Sequence, residues 1–276
     1  MKQIAATLIN GEPAECWSTH DRGFQYGDGL FETLAVVNGM PQHWGRHMQR
    51  LYRDAVRLQI EAPAETQLRA EAEQLCQGAT KAVLKIIITR GISGRGYAPS
   101  PGAMATRVLS VAPWPEYPVS HARDGVTVRF CRTLLARQPA LAGIKHLNRL
   151  EQVLARLEWQ QDYDEGLMQD EDGFVIEGTM TNLFVVAQGS LLTPDLSRSG
   201  VEGVMRGLVI EHANALSLPH RIVKLARDDV WNAEEVFLTN SLIGLWPVRK
   251  IETQEYPIGK VTQRIQQALH HVHAIT

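Results

Sequence analysis

The spacing of apolar residues predicts a chain that mixes strands with helices. Alternating or continuous apolar runs predict strands, which lie at 4–10, 34–37, 82–90, 108–112, 126–132, 183–186, 191–193 and 236–238, at Val223 and in the segment up to Pro247. Three- and four-residue spacing predicts helices at 43–58, 203–216 and 263–272. Residues 167–177 predict a hairpin. Turn signals separate the elements at Asn10-Gly11, Asn38-Gly39, Asp172-Gly173 and Gln188-Gly189.

A lysine stands just before a further predicted helix, in the segment 143–157. The apolar stripe of that helix comprises Leu147, Leu150, Val153, Leu154 and Leu157. Lys145 precedes the stripe and follows the apolar Ile144. Partial desolvation there would favour the neutral, nucleophilic amine. A solvated surface lysine is the alternative that this segment leaves open.

The predicted helix at 43–58 carries four arginines at helical spacing, which are Arg46, Arg50, Arg53 and Arg57. Such a row is typical of a solvated face. One of the four could instead point inward to an anion, because a guanidinium binds phosphate through two parallel hydrogen bonds.

Two glycine-rich segments admit tight turns. Residues 21–33 are interpreted as a loop. Residues 91–97 follow a β-branched strand and contain Arg95 and Tyr97. Pro99 and Pro101 follow, so this is not a dinucleotide-binding motif, which must open a helix. The segment is either a lid over an anionic ligand or a flexible connection.

Three prolines between Pro113 and Pro118 predict a linker. We therefore expect an N-terminal domain at 1–115 and a C-terminal domain at 116–276. The chain has 276 residues, which is enough for two modest domains.

Composition narrows the class of protein. A net charge of −2 gives no sign of a nucleic-acid or membrane surface. Three widely separated cysteines predict neither a disulfide framework nor a metal site, and they fit a reducing cytoplasm. The N-terminal residues lack a long apolar core, so we expect no signal peptide, and no segment reaches membrane-spanning length.

A second chemical element follows the lysine. Glu177 lies on a predicted strand, and Asn182 comes five residues later, before another apolar strand. Gly203 then opens the predicted helix at 203–216, where the backbone can approach a ligand closely. The first amides of a helix have no intrahelical acceptor, so its N-terminus is suited to bind an anion.

Over nearly its whole length the chain resembles the fold-type IV enzymes of pyridoxal 5'-phosphate (PLP). This family includes branched-chain aminotransferases, D-amino-acid transaminases and aminodeoxychorismate lyases. The positions that fit the family signature are Glu177, Asn182, Leu183, Phe184, Thr193, Gly203 and Arg206. The resemblance implies a two-domain α+β fold with a small N-terminal α+β domain, a larger C-terminal domain and PLP between them. It also implies a homodimer.

The resemblance assigns roles to particular residues. Lys145 matches the lysine that bonds covalently to PLP, and Glu177 matches the carboxylate that pairs with the pyridine nitrogen. Arg50, in the pattern His-x-x-Arg-Leu, matches an arginine that binds the cofactor phosphate. The remaining phosphate contacts match the backbone amides of Val204 and Met205 together with Asn240 and Ser241.

The choice within the family depends on the substrate positions. Phe31, Arg95 and Tyr97 correspond to a Tyr, an Arg and a His that hold the substrate carboxylate in D-amino-acid transaminases. Phe31 donates no hydrogen bond, so a site with lost donors disfavours those substrates. The sequence around Lys145 is most similar to aminodeoxychorismate lyases, which implies conversion of 4-amino-4-deoxychorismate to 4-aminobenzoate and pyruvate. The alternatives are a class IV aminotransferase for D- or branched-chain amino acids and a PLP-carrying protein without catalysis.

Overall fold

The computed structural model describes residues 6–272, which divide into two compact units. The N-terminal unit extends to Glu116 and includes the short segment Lys145–Asn148. The C-terminal unit comprises Tyr117–Ile144 and the chain from Arg149 onward. The division expected from the proline-rich linker, 1–115 and 116–276, differs from these units chiefly at 145–148, which pack with the earlier residues.

The described part of the N-terminal unit contains a six-stranded sheet and three helices. Its elements are β1 (Ala6–Ile9), β2 (Glu12–Pro13), α1 (Arg22–Tyr26), β3 (Gly29–Val37), β4 (Met40–Pro41), α2 (Trp44–Leu58), α3 (Glu65–Cys76), β5 (Lys81–Thr89) and β6 (Thr106–Pro113). The strand order is β2-β1-β6-β5-β3-β4, and each of these pairings is antiparallel. One face of the sheet is buried, with Leu34, Leu84 and Ile86 fully enclosed. Met48 and Leu51 of α2 are buried with them, because the apolar side of an amphipathic helix packs against the core.

The C-terminal unit, as far as residue 272, contains a ten-stranded mixed sheet and five helices. Its elements are α4 (Ser120–Asp124), β7 (Val126–Leu135), α5 (Leu150–Arg156), β8 (Glu165–Asp170), β9 (Phe174–Gly178), β10 (Asn182–Ala187), β11 (Ser190–Pro194), α6 (Val204–Ala215), β12 (His220–Val223), β13 (Leu225–Ala226), α7 (Arg227–Trp231), β14 (Glu235–Asn240), β15 (Gly244–Ile251), β16 (Gln254–Glu255) and α8 (Lys260–Val272). The order is β12-β11-β10-β14-β15-β7-β8-β9-β13, with β16 beside β15. Parallel pairing joins β11 to β12, β7 to β15 and β7 to β8.

Both faces of the central strands of this unit are buried. Phe184 of β10 and Phe237 of β14 stack with ring centroids 5.0 Å apart, under α6 and α8. Leu183 and Leu238, which neighbour Phe184 and Phe237 in the chain, point to the opposite face and join the core around Trp246. Strands that are buried on both faces have continuous apolar sequences, and this pattern is present at 183–186 and 236–238.

Most predicted elements are confirmed, and so is the α+β class. The predicted helices at 43–58 and 203–216 correspond to α2 and α6 within one residue, and the predicted turns lie where expected. The first predicted strand appears as β1, while positions 4 and 5 lie outside the described residues. The terminal helix begins earlier than predicted, at Lys260, and α3 was not predicted.

Two expectations are wrong. The segment 21–33 is not a loop throughout, because it contains α1 and the first residues of β3. The helix after Lys145 begins only at Leu150, since Lys145–Asn148 run beside β3 instead. Its apolar stripe is not buried within the chain: Leu150 and Leu157 are 75% and 74% exposed, and the helix buries Ala155.

Candidate active site

The segment that carries Lys145 is paired with the start of β3. The Phe31 amide donates to the Lys145 carbonyl at 3.0 Å, and the Leu147 amide donates to the Gly29 carbonyl at 3.0 Å. A Cβ at Gly29 would lie 2.6 Å from the Ile88 carbonyl oxygen and 2.8 Å from Leu147 Cδ1. Only glycine at position 29 therefore lets this segment approach the strand so closely.

Phe31 lies beneath the amine of Lys145. The Lys145 Nζ is 4.2 Å from the centroid of the Phe31 ring, a cation–π distance, and both residues are half-buried. The Nζ of Lys85, an exposed residue on β5, lies 5.3 Å from the same ring. Sequence reasoning missed Lys85, although it is the one charged residue between Ala82 and Thr89. The arrangement gathers two cations around one aromatic ring.

The inward-pointing arginine of α2 is Arg50. Its Nε donates to Glu32 Oε1 at 2.8 Å and its Nη2 donates to Glu32 Oε2 at 2.5 Å. His47 Nδ1 lies 2.6 Å from Glu32 Oε2, and all three side chains are buried. Arg50 is thus the arginine of this helix that points inward, and its partner here is a carboxylate of its own chain, so its role toward a phosphate stays a prediction. Glu32 was not singled out from the sequence.

The pKa values of Glu32 and His47 are both shifted in this cluster. Burial by itself raises the pKa of Glu32, but Arg50 and His47 outweigh that effect and lower the pKa to about 2. Burial lowers the pKa of His47, although Glu32 opposes the shift. The carboxylate of Glu32 is therefore charged across the physiological range, and it compensates the buried charge of Arg50.

A second buried carboxylate on α2 contacts the lysine segment directly. Asp54 Oδ2 accepts a hydrogen bond from the Lys145 backbone amide at 3.1 Å, and its Oδ1 accepts from Arg53 Nε at 2.8 Å. Burial raises the pKa of the Asp54 carboxyl, against the opposing influence of both donors. In the sequence Asp54 is an ordinary helix residue beside an arginine, so nothing marked it.

The glycine-rich loop at 91–97 is held from beneath by Arg22. This buried guanidinium donates from Nη1 to the Gly96 carbonyl at 2.9 Å and from Nη2 to the Tyr97 carbonyl at 2.8 Å. Its Nε donates to Asp28 Oδ2 at 2.7 Å. The side chains of Arg95 and Tyr97 point outward, and Tyr97 is 85% exposed. The loop is thus tied through its backbone, while its two candidate substrate residues remain accessible.

Glu177 of the C-terminal unit lies on β9 and is buried. Its Oε2 accepts a hydrogen bond from the Val201 amide at 2.8 Å. A Cβ at Gly200, whose φ is +84°, would lie 2.7 Å from Ile176 Cγ2 and 3.2 Å from Glu177 Oε2. The loop before α6 therefore crosses directly over the carboxylate and fixes its orientation. Gly143 forms a parallel bridge with Val201, so the same loop also pairs with the chain just before the lysine segment.

The N-terminus of α6 has the features of an anion site. No side chain caps it, so Val204 and Met205 begin the helix with amides that have no intrahelical acceptor. A Cβ at Gly203 would lie 2.0 Å from Asn182 Oδ1, which explains the glycine. The Asn182 Nδ2 donates to the Val201 carbonyl at 2.9 Å. Asn182 thus fixes the loop that precedes α6 and does not cap the helix.

Other signature residues brace this region. The buried Arg206 donates from Nη2 to the Pro194 carbonyl at 3.0 Å and from Nε to Thr193 Oγ1 at 3.3 Å. Asn240 ends β14, and its Nδ2 donates to the Met180 carbonyl at 3.2 Å. Ser241 follows in the turn to β15 and is half-buried.

A buried carboxylate that sequence reasoning missed supports the turn after Glu177. Glu165 accepts hydrogen bonds from the Thr179 hydroxyl at 2.5 Å, the Thr181 hydroxyl at 3.1 Å and the Met180 amide at 3.1 Å. Burial raises its pKa, against these donors. Alternation alone would not reveal it, because the surrounding strand is buried on nearly all positions.

The described residues hold neither a metal cluster nor a membrane-spanning helix. Among the side chains that the structure describes, at positions 6–269, no group of three His, Cys, Asp or Glu is arranged to hold a metal ion. Within the same residues, no helix has the length and apolar character needed to span a bilayer.

Comparison with known proteins identifies the family. Residues 29–251 match the family model described as Amino-transferase class IV. The chain is 37% identical to an aminodeoxychorismate lyase of Vibrio harveyi, over 94% of this chain and 97% of that protein. It is 45% identical to the crystal structure of 4-amino-4-deoxychorismate lyase from Pseudomonas aeruginosa, with a TM-score of 0.93 and coverage of 96% and 98%. A branched-chain amino acid aminotransferase of T.th., solved with pyridoxamine 5'-phosphate, is 25% identical with a TM-score of 0.86 and coverage of 99% and 96%. The chain therefore belongs to the class IV aminotransferase family.

Proposed function

We propose that this protein is a PLP-dependent lyase that converts 4-amino-4-deoxychorismate to 4-aminobenzoate and pyruvate. The observation that carries the proposal is the similarity to two lyases of that name along nearly the whole chain. The identity to the Pseudomonas aeruginosa lyase, 45%, clearly exceeds the 25% to the aminotransferase. The chemistry of the candidate site is in keeping with this reaction.

The donor set fits PLP. The group contains an aldehyde that reacts with an amine, a phosphate and a basic ring nitrogen. In our proposal Lys145 supplies the amine, and Glu177, fixed by the Val201 amide, supplies the carboxylate for the ring nitrogen. The phosphate is assigned to Arg50, Asn240, Ser241 and the Val204 and Met205 amides. The uncapped N-terminus of α6 supports the last assignment. When bound, PLP supplies an electron sink for a carbanion next to the substrate nitrogen.

Lys145 also moves the protons of the reaction. Its Nζ removes the proton from the carbon that bears the substrate amine, acting as general base. The bond from the neighbouring carbon to the enolpyruvyl oxygen then breaks, and the ring becomes aromatic. The protonated Nζ returns a proton to the departing fragment, which leaves as pyruvate. Aromatisation makes the step effectively irreversible. The amino group leaves on 4-aminobenzoate and is not transferred, so no amino acceptor is required.

The substrate carries two carboxylates, which we assign to cationic and hydroxyl groups of the N-terminal unit. Arg95 and Tyr97 are accessible on a loop whose backbone is held by Arg22. Lys85 adds an ammonium beside the Phe31 ring. Phe31 provides a flat apolar surface and no hydrogen-bond donor, which favours the ring of this substrate over the carboxylate of an amino acid.

We further propose that the protein is a cytoplasmic homodimer. The exposed apolar stripe of α5 supports self-association, because Leu150, Val153, Leu154 and Leu157 form a contiguous surface that water solvates poorly. Cys16, Cys76 and Cys131 are all free thiols, which agrees with a reducing compartment. Light scattering of the wild type and of Leu154→Lys tests the assembly. We expect a dimer that dissociates in the variant, and a monomeric wild type would refute the proposal.

A coupled assay tests the activity. Chorismate, glutamine and the enzyme that aminates chorismate supply the substrate, and 4-aminobenzoate and pyruvate are measured. We expect equal amounts of both products without an amino acceptor, and none with Lys145→Ala. The alternative, supported by the aminotransferase relatives, is tested with D-alanine or L-leucine and 2-oxoglutarate. Rapid glutamate formation without pyruvate release from aminodeoxychorismate would favour the aminotransferase.

A further inference from the structure

We propose that Asp54 is a positioning residue that fixes the backbone of Lys145 and thereby aims its amine. The inference rests on the proposed function, since it concerns the lysine to which that function assigns the chemistry. Asp54 acts through the Lys145 amide and is not proposed to touch the substrate.

The contact is made by a fully buried carboxylate. The side chain of Asp54 has an exposed fraction of 0%, and its Oδ2 is 3.1 Å from the Lys145 backbone nitrogen. Its other oxygen accepts a hydrogen bond from Arg53 Nε at 2.8 Å and forms an ion pair with Arg53 Nη2 at 2.8 Å. A buried carboxylate is costly unless its oxygens are paired. Both oxygens of Asp54 are paired, and one of them is committed to the amide of Lys145.

The hydrogen bonds between the lysine segment and β3 use the Lys145 carbonyl and the Leu147 amide, whereas the Lys145 amide donates to Asp54. Pairing with β3 fixes the Lys145 carbonyl through the Phe31 amide and fixes the Leu147 amide through the Gly29 carbonyl. Asp54 holds the peptide on the other side of the Lys145 Cα. The two peptide planes that flank a Cα set the direction of its Cβ, because the backbone has only two soft dihedrals per residue. The Ile144 carbonyl of the same peptide accepts a hydrogen bond from Arg149 Nη2 at 3.1 Å. Loss of the Asp54 contact would leave this plane held at its carbonyl alone and would widen the range of directions open to Nζ.

Asp54 also couples the lysine to the candidate phosphate arginine. Arg50 and Asp54 are four residues apart on α2, so they lie on the same face of one helix. Both are buried, one against Glu32 of β3 and the other against the lysine segment. A single rigid element therefore sets the positions of both residues. The distance between an amine and a phosphate site is held more reliably this way than by two independent loops.

Hydrogen exchange of the Lys145 amide in the apoenzyme is the direct test. Wild type, Asp54→Ala and Asp54→Asn are compared with residue resolution, by mass spectrometry with electron-transfer fragmentation. The matched control is Glu71→Gln, which alters a buried carboxylate of the same unit that binds Arg107 and does not contact the lysine segment. We expect at least tenfold faster exchange at Lys145 in Asp54→Ala and no change in the control. Asp54→Asn keeps an acceptor oxygen, so its exchange rate at Lys145 should lie between those of the wild type and Asp54→Ala. This variant preserves the test if Asp54→Ala does not fold.

Kinetics of the holoenzyme supply the second measurement. A less precisely oriented Lys145 amine should lower kcat at least tenfold in Asp54→Ala. KM should stay within about threefold, because Asp54 is not among the residues that we assign to substrate binding. Unchanged exchange at Lys145, or equal effects in Glu71→Gln, would overturn the proposal. If the wild type releases no pyruvate from aminodeoxychorismate, the proposed function fails. The exchange measurement still decides whether Asp54 fixes the lysine.

Discussion

Substitution of Glu32 should lower the stability of the fold, because its carboxylate makes buried contacts with Arg50 and His47. Glu32→Gln preserves the shape of the side chain and removes its charge. The substitution leaves the guanidinium of Arg50 buried against a neutral amide. We expect the folded N-terminal unit to be markedly less stable at pH 7, although an amide oxygen can still accept one hydrogen bond.

The pKa of Glu32 sets the size of this effect. The pKa falls from 4.5 to about 2 on folding, and at about 1.36 kcal/mol per unit this corresponds to about 3 kcal/mol. Removal of one partner from a buried ion pair typically destabilises by ~3–5 kcal/mol, which agrees. Between pH 4.5 and 2 the unfolded chain binds the proton and the folded chain does not. This contribution is therefore complete above pH 4.5 and is lost as the pH falls toward 2.

Urea denaturation followed by circular dichroism measures the free energy of unfolding. At pH 7 we expect a loss of about 3 kcal/mol in Glu32→Gln and less than ~0.5 kcal/mol in the exposed control Glu61→Gln. The pH series is measured below pH 4.5 with His47 in place in both chains, because His47 is one of the groups that lower the pKa of Glu32 to about 2. The difference in stability between the chain that keeps Glu32 and the chain that carries Glu32→Gln should shrink as the pH falls. A loss below about 1 kcal/mol at pH 7, or a difference independent of pH, would refute the reasoning.

Three further variants test other parts of the account. Arg95→Ala should raise KM for aminodeoxychorismate at least tenfold, since a charge-assisted hydrogen bond contributes about 1.5–3 kcal/mol; an unchanged KM removes Arg95 from the substrate site. Gly29→Ala should slow covalent capture of PLP at least tenfold, because its Cβ would lie 2.6 Å from the Ile88 carbonyl oxygen, whereas Gly45→Ala meets nothing within 4 Å and should be neutral. Glu165→Gln should destabilise the fold by about 1–3 kcal/mol in urea denaturation, because its partners lose a buried carboxylate; a change below ~0.5 kcal/mol would contradict that role.

The sequence predicted those parts of the fold that depend on local pattern. The apolar side of α2 recurs at helical spacing, so its ends could be placed within one residue. The glycines of Asn38-Gly39 and Gln188-Gly189 signal turns in the sequence, because glycine accepts positive φ without steric cost, and both residues of each turn adopt positive φ in the structure. A glycine also signals the hairpin at Asp172-Gly173, where Gly173 has a φ of +83° and Asp172 has no positive φ.

The parts that depend on distant contacts could not be predicted in this way. Leu147 fits a helical stripe by its spacing, yet it pairs with Gly29, and no local signal records a contact between such distant segments. Asp54 and Arg22 look like surface charges in the sequence, because burial depends on what packs over a residue. The roles of Lys145 and Glu177 came from resemblance to a family, and spacing alone left them open.

The central claim is a covalent bond between the amine of Lys145 and the aldehyde carbon of PLP. Reduction of the cofactor-saturated protein with borohydride, followed by peptide mapping, tests it most directly. We expect a phosphopyridoxyl group on Lys145 and none on the neighbouring cation Lys85. An unlabelled Lys145, or a label on another lysine, would contradict it.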